Sequence, residues 1–232
     1  MTDETGVPLR ADLLGLISAR FFGGNVIATP VTSNSGIEAA IGVQVLRTRV
    51  GSPYVIDAMI EAIGNGKQGV MGFEANGGVI LGSDFSVGDV SLSALPTRDC
   101  VQPIVATLHA GAEAKTPLSA VVAKHRLPVA LSNRIENYPF DRSCALLTHL
   151  QASEANVAHL FGRIGRVKAM NNVDGLRLTL EDGRILHIRP SGNAPELRCY
   201  VEAGDQNTAN NACPGLALLL LQELMVEVRA RS

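Results

Sequence analysis

The first half of the chain alternates between helical and strand patterns, and this alternation restricts the possible folds most strongly. Strands that alternate with helices indicate a largely parallel sheet layered with helices. Proline near helix starts and glycine near helix ends mark the boundaries of the predicted elements. The predicted elements are a helix over 13–21, strands at 25–31 and 43–48, a helix over 53–63, strands at 69–73 and 79–82, and helices at 98–114 and 117–125 capped by Thr97 and Thr116.

After about residue 133 the pattern changes to short helices succeeded by hairpins. Two helical segments begin near Asp141 and Ser153, and four strands come next at 163–171, 175–181, 184–189 and 196–203. Asp182-Gly183 is a strong two-residue hairpin signal, so these strands predict an antiparallel meander. A helix over 214–229 is predicted to cover that sheet. The stretch 131–139 is the predicted boundary between the two patterns.

The predicted fold class is therefore α/β, with two domains. Residues 1–133 form a layered, mostly parallel α/β domain, and residues 134–232 form a smaller α+β domain with an antiparallel sheet. A chain of 232 residues is long for one domain and gives each of two domains enough residues for its own core.

Charge and cysteine content narrow the classes of partner. A net charge of −2, without runs of like charge, predicts no binding to nucleic acid or to an anionic membrane. The apolar run at 216–221 is too short for a membrane span, which needs about 20 residues. The four cysteines are far apart and form no Cys-x-x-Cys pair, which is typical of free thiols in a reducing compartment. We therefore expect a cytoplasmic protein that binds small molecules.

Residues 189–198 predict an anion-binding loop between two strands. Ser191, Gly192 and Asn193 are small turn residues whose backbone N–H groups can converge on one point. Arg189 and Arg198 flank them with guanidinium groups that match phosphate oxygens. The alternative is an ordinary Pro-Ser-Gly-Asn turn with two surface arginines.

A second polar group of residues lies at 72–78, where a predicted strand ends. Ligands of open α/β sheets bind beyond the carboxyl ends of strands, so Glu74 and Asn76 could both face a ligand such as a sugar. The alternative is a glycine-rich hairpin turn with a solvated glutamate. Arg47, at the end of another predicted strand, is either an exposed cation or a further ligand-binding residue.

Both loops resemble motifs of the α-D-phosphohexomutases, the phosphomannomutase and phosphoglucomutase family. Residues 189–195 are similar to that family's Arg-Pro-Ser-Gly-Thr-Glu-Pro phosphate loop, with Asn193 for Thr and Ala194 for Glu. Residues 73–78 are similar to its Gly-Glu-x-Ser-Gly-His sugar loop, in which Glu74 matches the Glu and Asn76 stands at the Ser. Gly78 stands where many members have His. Residues 47–51 further resemble a strand and turn near that sugar site.

The resemblance implies a sugar-binding set of Glu74, Asn76 and Arg47. It also implies a phosphate-binding set, which consists of Arg189, Ser191, Gly192, Asn193 and Arg198. The two loops occur in the order of the family's third and fourth domains. Residues 2–9 resemble the segment after the metal loop of the second domain, so the chain resembles a C-terminal half.

Two further motifs of the family do not occur in this sequence. These are the Thr-Ala-Ser-His-Asn-Pro loop, whose serine carries the phosphoryl group, and the Asp-Gly-Asp-x-Asp-Arg loop for Mg²⁺. The five histidines share no spacing, and no serine has a local base motif. We therefore predict no catalytic and no metal-binding residue in this chain, and we expect Mg²⁺ only in a full-length enzyme.

Three functions remain open from the sequence. The first is the hexose-phosphate-binding half of a phosphomannomutase or phosphoglucomutase, which is inactive alone. The second is a freestanding hexose-phosphate-binding module, or one subunit of a split enzyme whose N-terminal half carries the serine and metal loops. The third is a decayed product that binds no ligand.

Overall fold

The computed structural model describes residues 1–211 together with Gly215, Leu218 and Gln222. It divides into two compact units, which are residues 1–127 and residues 128–232. The division precedes the boundary expected at residue 133, because Val129–Ile135 is a strand that pairs along its whole length within the second unit.

Unit 1 is a mixed five-stranded sheet with helices on both faces. The sheet has a parallel part and an antiparallel part, and the chain also forms a separate two-stranded hairpin. The helices are α1 (Ala11–Phe22), α2 (Ile37–Ile41), α3 (Ser52–Gly64), α4 (Gln102–Ala114) and α5 (Leu118–Ala123), and the strands are β1 (Val26–Pro30), β2 (Gln44–Thr48), β3 (Val70–Phe73), β4 (Val79–Leu81), β5 (Phe85–Val87), β6 (Val90–Leu92) and β7 (Leu95–Asp99).

The sheet order in unit 1 is β2-β1-β3-β4-β7. Successive side chains of a strand point to opposite faces, and β1 is buried on both. Ile27 packs with Leu16 of α1, whereas Ala28 packs with Val55 of α3. The hydrophobic core of unit 1 therefore lies in two layers, one on each side of β1 and β3.

The segment before α4 differs from its predicted structure. Thr97 lies within β7, so it does not cap a helix, and α4 begins only at Gln102. Asp99 ends the strand, and its Oδ1 accepts hydrogen bonds from the backbone N–H groups of Val101 at 2.7 Å and Gln102 at 3.2 Å. α5 begins at Leu118, one residue later than predicted. The pairing of β7 with β4 overrides the local helical pattern.

Unit 2 is an antiparallel sheet covered on one face by two helices. Its strand order is β8-β12-β11-β10-β9. Helix α7 begins where predicted, since Ser153 is its N-cap and its Oγ accepts a hydrogen bond from the backbone N–H of Asn156 at 3.1 Å. The elements are β8 (Val129–Ile135), α6 (Phe140–Gln151), α7 (Glu154–Phe161), β9 (Val167–Asn171), β10 (Leu176–Leu180), β11 (Ile185–Pro190), β12 (Leu197–Ala203) and α8 (Gln206–Asn211).

The two faces of this sheet differ in polarity. One face packs Leu178, Ile188 and Cys199 against helix residues such as Leu150 and Phe161, and these five side chains are fully buried. The opposite face carries polar side chains, which include Arg177, His187, Arg189, Arg198 and Tyr200. The phosphate loop predicted from sequence joins β11 to β12, so its two arginines belong to this polar face.

The predicted α/β fold with an antiparallel second sheet is confirmed. The helix predicted over 214–229 lies largely outside the described residues. Of that stretch Leu218 is described and is buried among the core residues of unit 2. In the part of the chain that the structure describes, no helix has the length and apolar character to cross a bilayer.

Candidate functional site

Polar residues of unit 1 gather where its parallel strands end. β1 pairs in parallel with both β2 and β3, so the carboxyl ends of these three strands lie at one edge of the sheet. Glu74 directly follows β3, and Ser52 begins α3 shortly after β2. This is the edge where open α/β sheets bind ligands.

Glu74 is held in place by its neighbours, although it lies in a turn. Its Oε2 accepts hydrogen bonds from Ser52 Oγ at 2.5 Å and from Asn76 Nδ2 at 3.3 Å, and Arg98 Nη1 lies 3.8 Å away. The residue is only 5% exposed. Within the described part of the chain these contacts all involve Oε2 and none involves Oε1, which can accept a hydrogen bond from a hydroxyl group.

The loop 74–78 is a hairpin turn, as one interpretation of the sequence predicted, but its glutamate is not solvated. It is a tight hairpin turn between β3 and β4, closed by hydrogen bonds from Glu74 N to Gly78 O and from Gly77 N to Glu74 O, both at 3.1 Å. Its glutamate is nevertheless buried, not solvated. Asn76 is exposed at the tip, and its Oδ1 accepts a hydrogen bond from the Gly78 N–H at 3.1 Å.

Arg98 occupies the space beside Gly78. A Cβ atom at residue 78 would lie 2.0 Å from Cγ and 2.2 Å from Cδ of Arg98. A larger side chain at this position would require the side chain of Arg98 to move. The guanidinium group is half exposed at this edge.

Arg47 is fully engaged by other groups of unit 1. Its Nε and Nη2 contact the two carboxylate oxygens of Glu38 at 2.7 and 2.6 Å. Its Nη atoms also donate to the carbonyl oxygens of Pro30, Ser33 and Asn34 at 2.7–3.2 Å. These contacts use all five N–H groups of the guanidinium, so Arg47 fixes the loop after β1 and has no donor left for a ligand. We therefore leave it out of the proposed sugar-binding region.

The loop between β11 and β12 leaves several backbone donors without a hydrogen bond among the described residues. Ser191 is 3% exposed, its N–H donates to Glu196 O at 2.8 Å, and its hydroxyl donates to Asn193 Oδ1 at 2.9 Å. Among the described residues, the backbone N–H groups of 192–194 donate no hydrogen bond. Gly192 and Asn193 are exposed, so these donors are available to an anion.

The two arginines beside this loop differ in their surroundings. Arg189 and Arg198 are direct neighbours across β11 and β12. Arg198 is one-third exposed and donates from Nε and Nη2 to Glu196 Oε2 at 3.1 and 3.0 Å. Arg189 is buried, and its Nε lies 3.3 Å from Asp174 Oδ2. Each arginine thus has a carboxylate partner, and Asp174 reaches this place from a turn that precedes β10.

His187 lies next to Arg189 on the polar face, two residues earlier on β11. It is 2% exposed, its Nε2 lies 2.6 Å from the carbonyl oxygen of Asp174, and its ring is 5.6 Å from that of Tyr200. Burial lowers the pKa of His187 to about 4, although the hydrogen bond to Asp174 opposes this shift. The imidazole is therefore neutral in the folded protein near neutral pH, and Nε2 carries the proton that it donates to the carbonyl.

This burial predicts an acid-dependent loss of stability. Between pH 6.5 and about pH 4 the unfolded chain binds a proton at His187 that the folded chain does not. The unfolding free energy should fall as pH decreases through this window, by at most about 1.4 kcal/mol per pH unit from this group. Urea unfolding across the window should show a shallower loss in His187→Gln than in the natural sequence, and equal slopes would contradict the prediction.

Three residues of these sites were not identified from sequence. Ser52 gave no separate signal, because a serine at a helix start is common for structural reasons alone. Arg98 gave none either, because its segment was predicted to be helical. Asp174 was assigned to a turn only, and its proximity to Arg189 depends on the register of three strands.

The described residues do not suit a metal ion. Among residues 1–211 and the three described beyond them, no group of three or more His, Cys, Asp or Glu side chains could hold one. The described residues therefore do not form the carboxylate cluster that the resemblance associates with Mg²⁺.

Models of two protein domains match the chain. The alpha/beta/alpha domain III of phosphoglucomutase/phosphomannomutase matches residues 11–127, and the C-terminal domain of the same enzymes matches residues 149–218. The chain belongs to the phosphoglucomutase/phosphomannomutase family. The predicted resemblance is thereby confirmed.

Relatives of the family are similar over nearly the whole chain. A phosphomannomutase of Sinorhizobium fredii is 72% identical over 220 residues, which cover 94% of this chain and 46% of that relative. A phosphomannomutase of Salmonella muenchen is 38% identical over 91% of this chain and 44% of that relative. A phosphoglucosamine mutase of Halorhodospira halophila is 29% identical over 84% of this chain and 36% of that relative. The chain thus spans less than half the length of these relatives.

Solved structures of the family share the fold. A phosphoglucomutase/phosphomannomutase family protein of Burkholderia thailandensis has a TM-score of 0.58 at 16% identity, covering 91% of this chain and 41% of that structure. Aspergillus fumigatus N-acetylphosphoglucosamine mutase, solved with GlcNAc-6P and magnesium, has a TM-score of 0.56 at 14% identity, covering 95% of this chain and 48% of that structure.

Proposed function

We propose that this chain is the hexose-phosphate-binding half of a phosphomannomutase or phosphoglucomutase. Unit 2 binds phosphate through the loop 191–196 and the arginines beside it, and unit 1 binds sugar hydroxyls through Glu74 and Asn76. A hexose phosphate has both kinds of group. In the complete enzyme this binding would serve transfer of a phosphoryl group between C6 and C1 of one hexose.

The phosphate loop is the observation that carries this proposal. Three consecutive N–H groups at 192–194 donate no hydrogen bond among the described residues, and no described atom lies within 4 Å of the place where a Cβ of Gly192 would stand. Arg189 and Arg198 supply positive charge on the adjoining strands. Backbone donors that converge next to guanidinium groups favour a phosphate dianion.

The carboxylate of Glu74, at the end of β3, supports the proposal that unit 1 binds sugar hydroxyls. A buried carboxylate that is already oriented by Ser52 and Asn76 can accept a hydrogen bond from a hydroxyl at little further entropic cost. Arg98, 3.8 Å from Glu74, limits the electrostatic cost of burying that charge and adds a donor at the same edge. We include Arg98 and Ser52 in the proposed sugar-binding region.

Phosphoryl transfer needs more than these residues provide. It requires a group that carries the phosphoryl and cations that stabilise its oxygens, and in this family those are the serine loop and the Mg²⁺ loop. We propose that the N-terminal half of the complete enzyme supplies both, that Mg²⁺ belongs to that half, and that this chain has no mutase activity alone. We also propose a cytoplasmic location, where hexose phosphates are formed and used.

A freestanding hexose-phosphate-binding module, or one subunit of a split mutase, is the second candidate. The observation that favours it is that each unit has a hydrophobic core built from its own residues. Such units can fold without another chain. The third possibility, a product that binds nothing, predicts no binding of any hexose phosphate.

Replacing Glu74 by Gln tests the sugar-binding part. We expect weaker binding of mannose 6-phosphate, by about tenfold, because the substitution removes a charge-assisted acceptor. Binding of inorganic phosphate should remain unchanged. Isothermal titration calorimetry with both ligands measures this, and Glu61→Gln on the exposed surface of α3 is the matched control. An equal loss for both ligands would show that Glu74 acts through the fold.

A further inference from the structure

The turn that precedes β10 is in close contact with the arginine that we assign to phosphate. This turn, which we name the Asp174 turn, comprises residues 172–175 between β9 and β10. Asp174 Oδ2 lies 3.3 Å from Arg189 Nε, and the two side chains are only 10% and 8% exposed. The contact is an ion pair and not an aligned hydrogen bond, because Arg189 Nε has no hydrogen-bond partner among the described residues.

Gly175 brings the backbone of the turn against β11. A Cβ atom at residue 175 would lie 2.2 Å from the carbonyl oxygen of Ile188 and 2.8 Å from Cβ of Arg189. Its φ of +82° is also in the region that favours glycine. Only a residue without a side chain allows the turn to lie this close to Arg189.

His187 contacts the main chain of the same turn. Its Nε2–H donates to the carbonyl oxygen of Asp174 at 2.6 Å. Asp174 is therefore held through its main chain by one residue of β11 while its carboxylate contacts another. The charged and titratable groups that face His187 are Arg177, Asp174, Arg189 and Tyr200.

We propose that Asp174 and His187 are positioning residues for phosphate binding: the Asp174 turn orients Arg189, and His187 orients the turn. This inference rests on the proposed role of Arg189 at the phosphate loop. Burial and the ion pair at Nε limit the orientations that the guanidinium can adopt. Its Nη atoms would then be directed toward an anion.

Asp174→Asn removes a negative charge and also removes a group that orients Arg189, and these two changes have opposite effects on phosphate affinity. Loss of the carboxylate charge alone would strengthen the binding of an anion, because a negative charge near Arg189 is removed. Loss of orientation weakens it. We expect the affinity for inorganic phosphate to fall by about tenfold, by analogy with the loss that follows removal of groups that orient metal ligands. Unchanged or tighter binding would overturn the role of Asp174.

Two glycine variants separate positioning from general stability. Gly175→Ala and Gly183→Ala both place alanine at a positive φ, +82° and +85°, but nothing lies within 4 Å of a Cβ at residue 183. Both variants should unfold at a lower temperature, and only Gly175→Ala should lose phosphate affinity. Equal phosphate affinities in the two folded variants would contradict the proposal.

His187 is tested with a conservative and a disruptive variant. His187→Gln can still donate a hydrogen bond to the Asp174 carbonyl, whereas His187→Leu cannot, so the glutamine variant should retain most of the phosphate affinity that the leucine variant loses. Similar affinities in both would overturn the role of His187. Arg189→Ala belongs in the same series: if it leaves phosphate binding unchanged, the proposed phosphate site itself fails, and the positioning proposal fails with it.

Discussion

Replacing Arg189 by alanine should weaken the binding of inorganic phosphate and of mannose 6-phosphate alike, by about 10- to 100-fold. The physical reason is the loss of charge-assisted hydrogen bonds worth about 1.5–3 kcal/mol. Arg189 shortly precedes the loop whose N–H groups at 192–194 donate no hydrogen bond among the described residues. Calorimetric titration with both ligands measures the effect. The two losses should be similar, because the proposed contact of the arginine is with the phosphate group that both ligands share.

Arg166→Ala is the matched control for Arg189→Ala. It removes the same charge from the same unit, but Arg166 is largely exposed and lies near Glu181. Its effect on phosphate affinity should be small. Arg189→Lys keeps the charge without the guanidinium fork and should bind with intermediate affinity. If Arg189→Ala binds phosphate as well as Arg166→Ala does, the assignment of the phosphate loop is wrong.

Local patterns in the sequence were sufficient for much of the fold. The hairpin between β10 and β11 was predicted because Asp182-Gly183 has the chemistry of a tight turn, and Gly183 indeed has a positive φ. The start of α7 near Ser153 was predicted for a similarly local reason. By contrast, Thr97 was misassigned because its strand exists only through pairing with β4, which lies earlier in the chain.

The candidate sites depended more on contacts between distant segments. Glu74 was identified from its position after a strand, but its burial depends on Ser52 and Arg98, which belong to other elements of unit 1. Arg47 shows the reverse case. Its strand-end position suggested a possible ligand, and only the packing of Glu38 and three carbonyl groups around it reveals a structural role. No local pattern predicts which charged groups the fold pairs.

The purified chain should have no mutase activity. We expect no conversion of mannose 6-phosphate to mannose 1-phosphate by the purified chain, because its sequence has neither the serine loop nor the metal loop of the family. Addition of a separately expressed N-terminal half of a relative, such as the Sinorhizobium fredii phosphomannomutase that is 72% identical, should produce activity that depends on both parts. The same half mixed with the Arg189→Ala variant should produce much less.

Phosphorus NMR of the purified chain with mannose 6-phosphate reports both binding and conversion in one spectrum. We expect a saturable shift or broadening of the 6-phosphate resonance, which is absent with Arg189→Ala, and no new resonance of the 1-phosphate during prolonged incubation. A growing 1-phosphate resonance, with contaminating mutase excluded, would contradict the claim that this chain binds without catalysis. A 6-phosphate resonance that the protein never perturbs would contradict the claim that it binds at all.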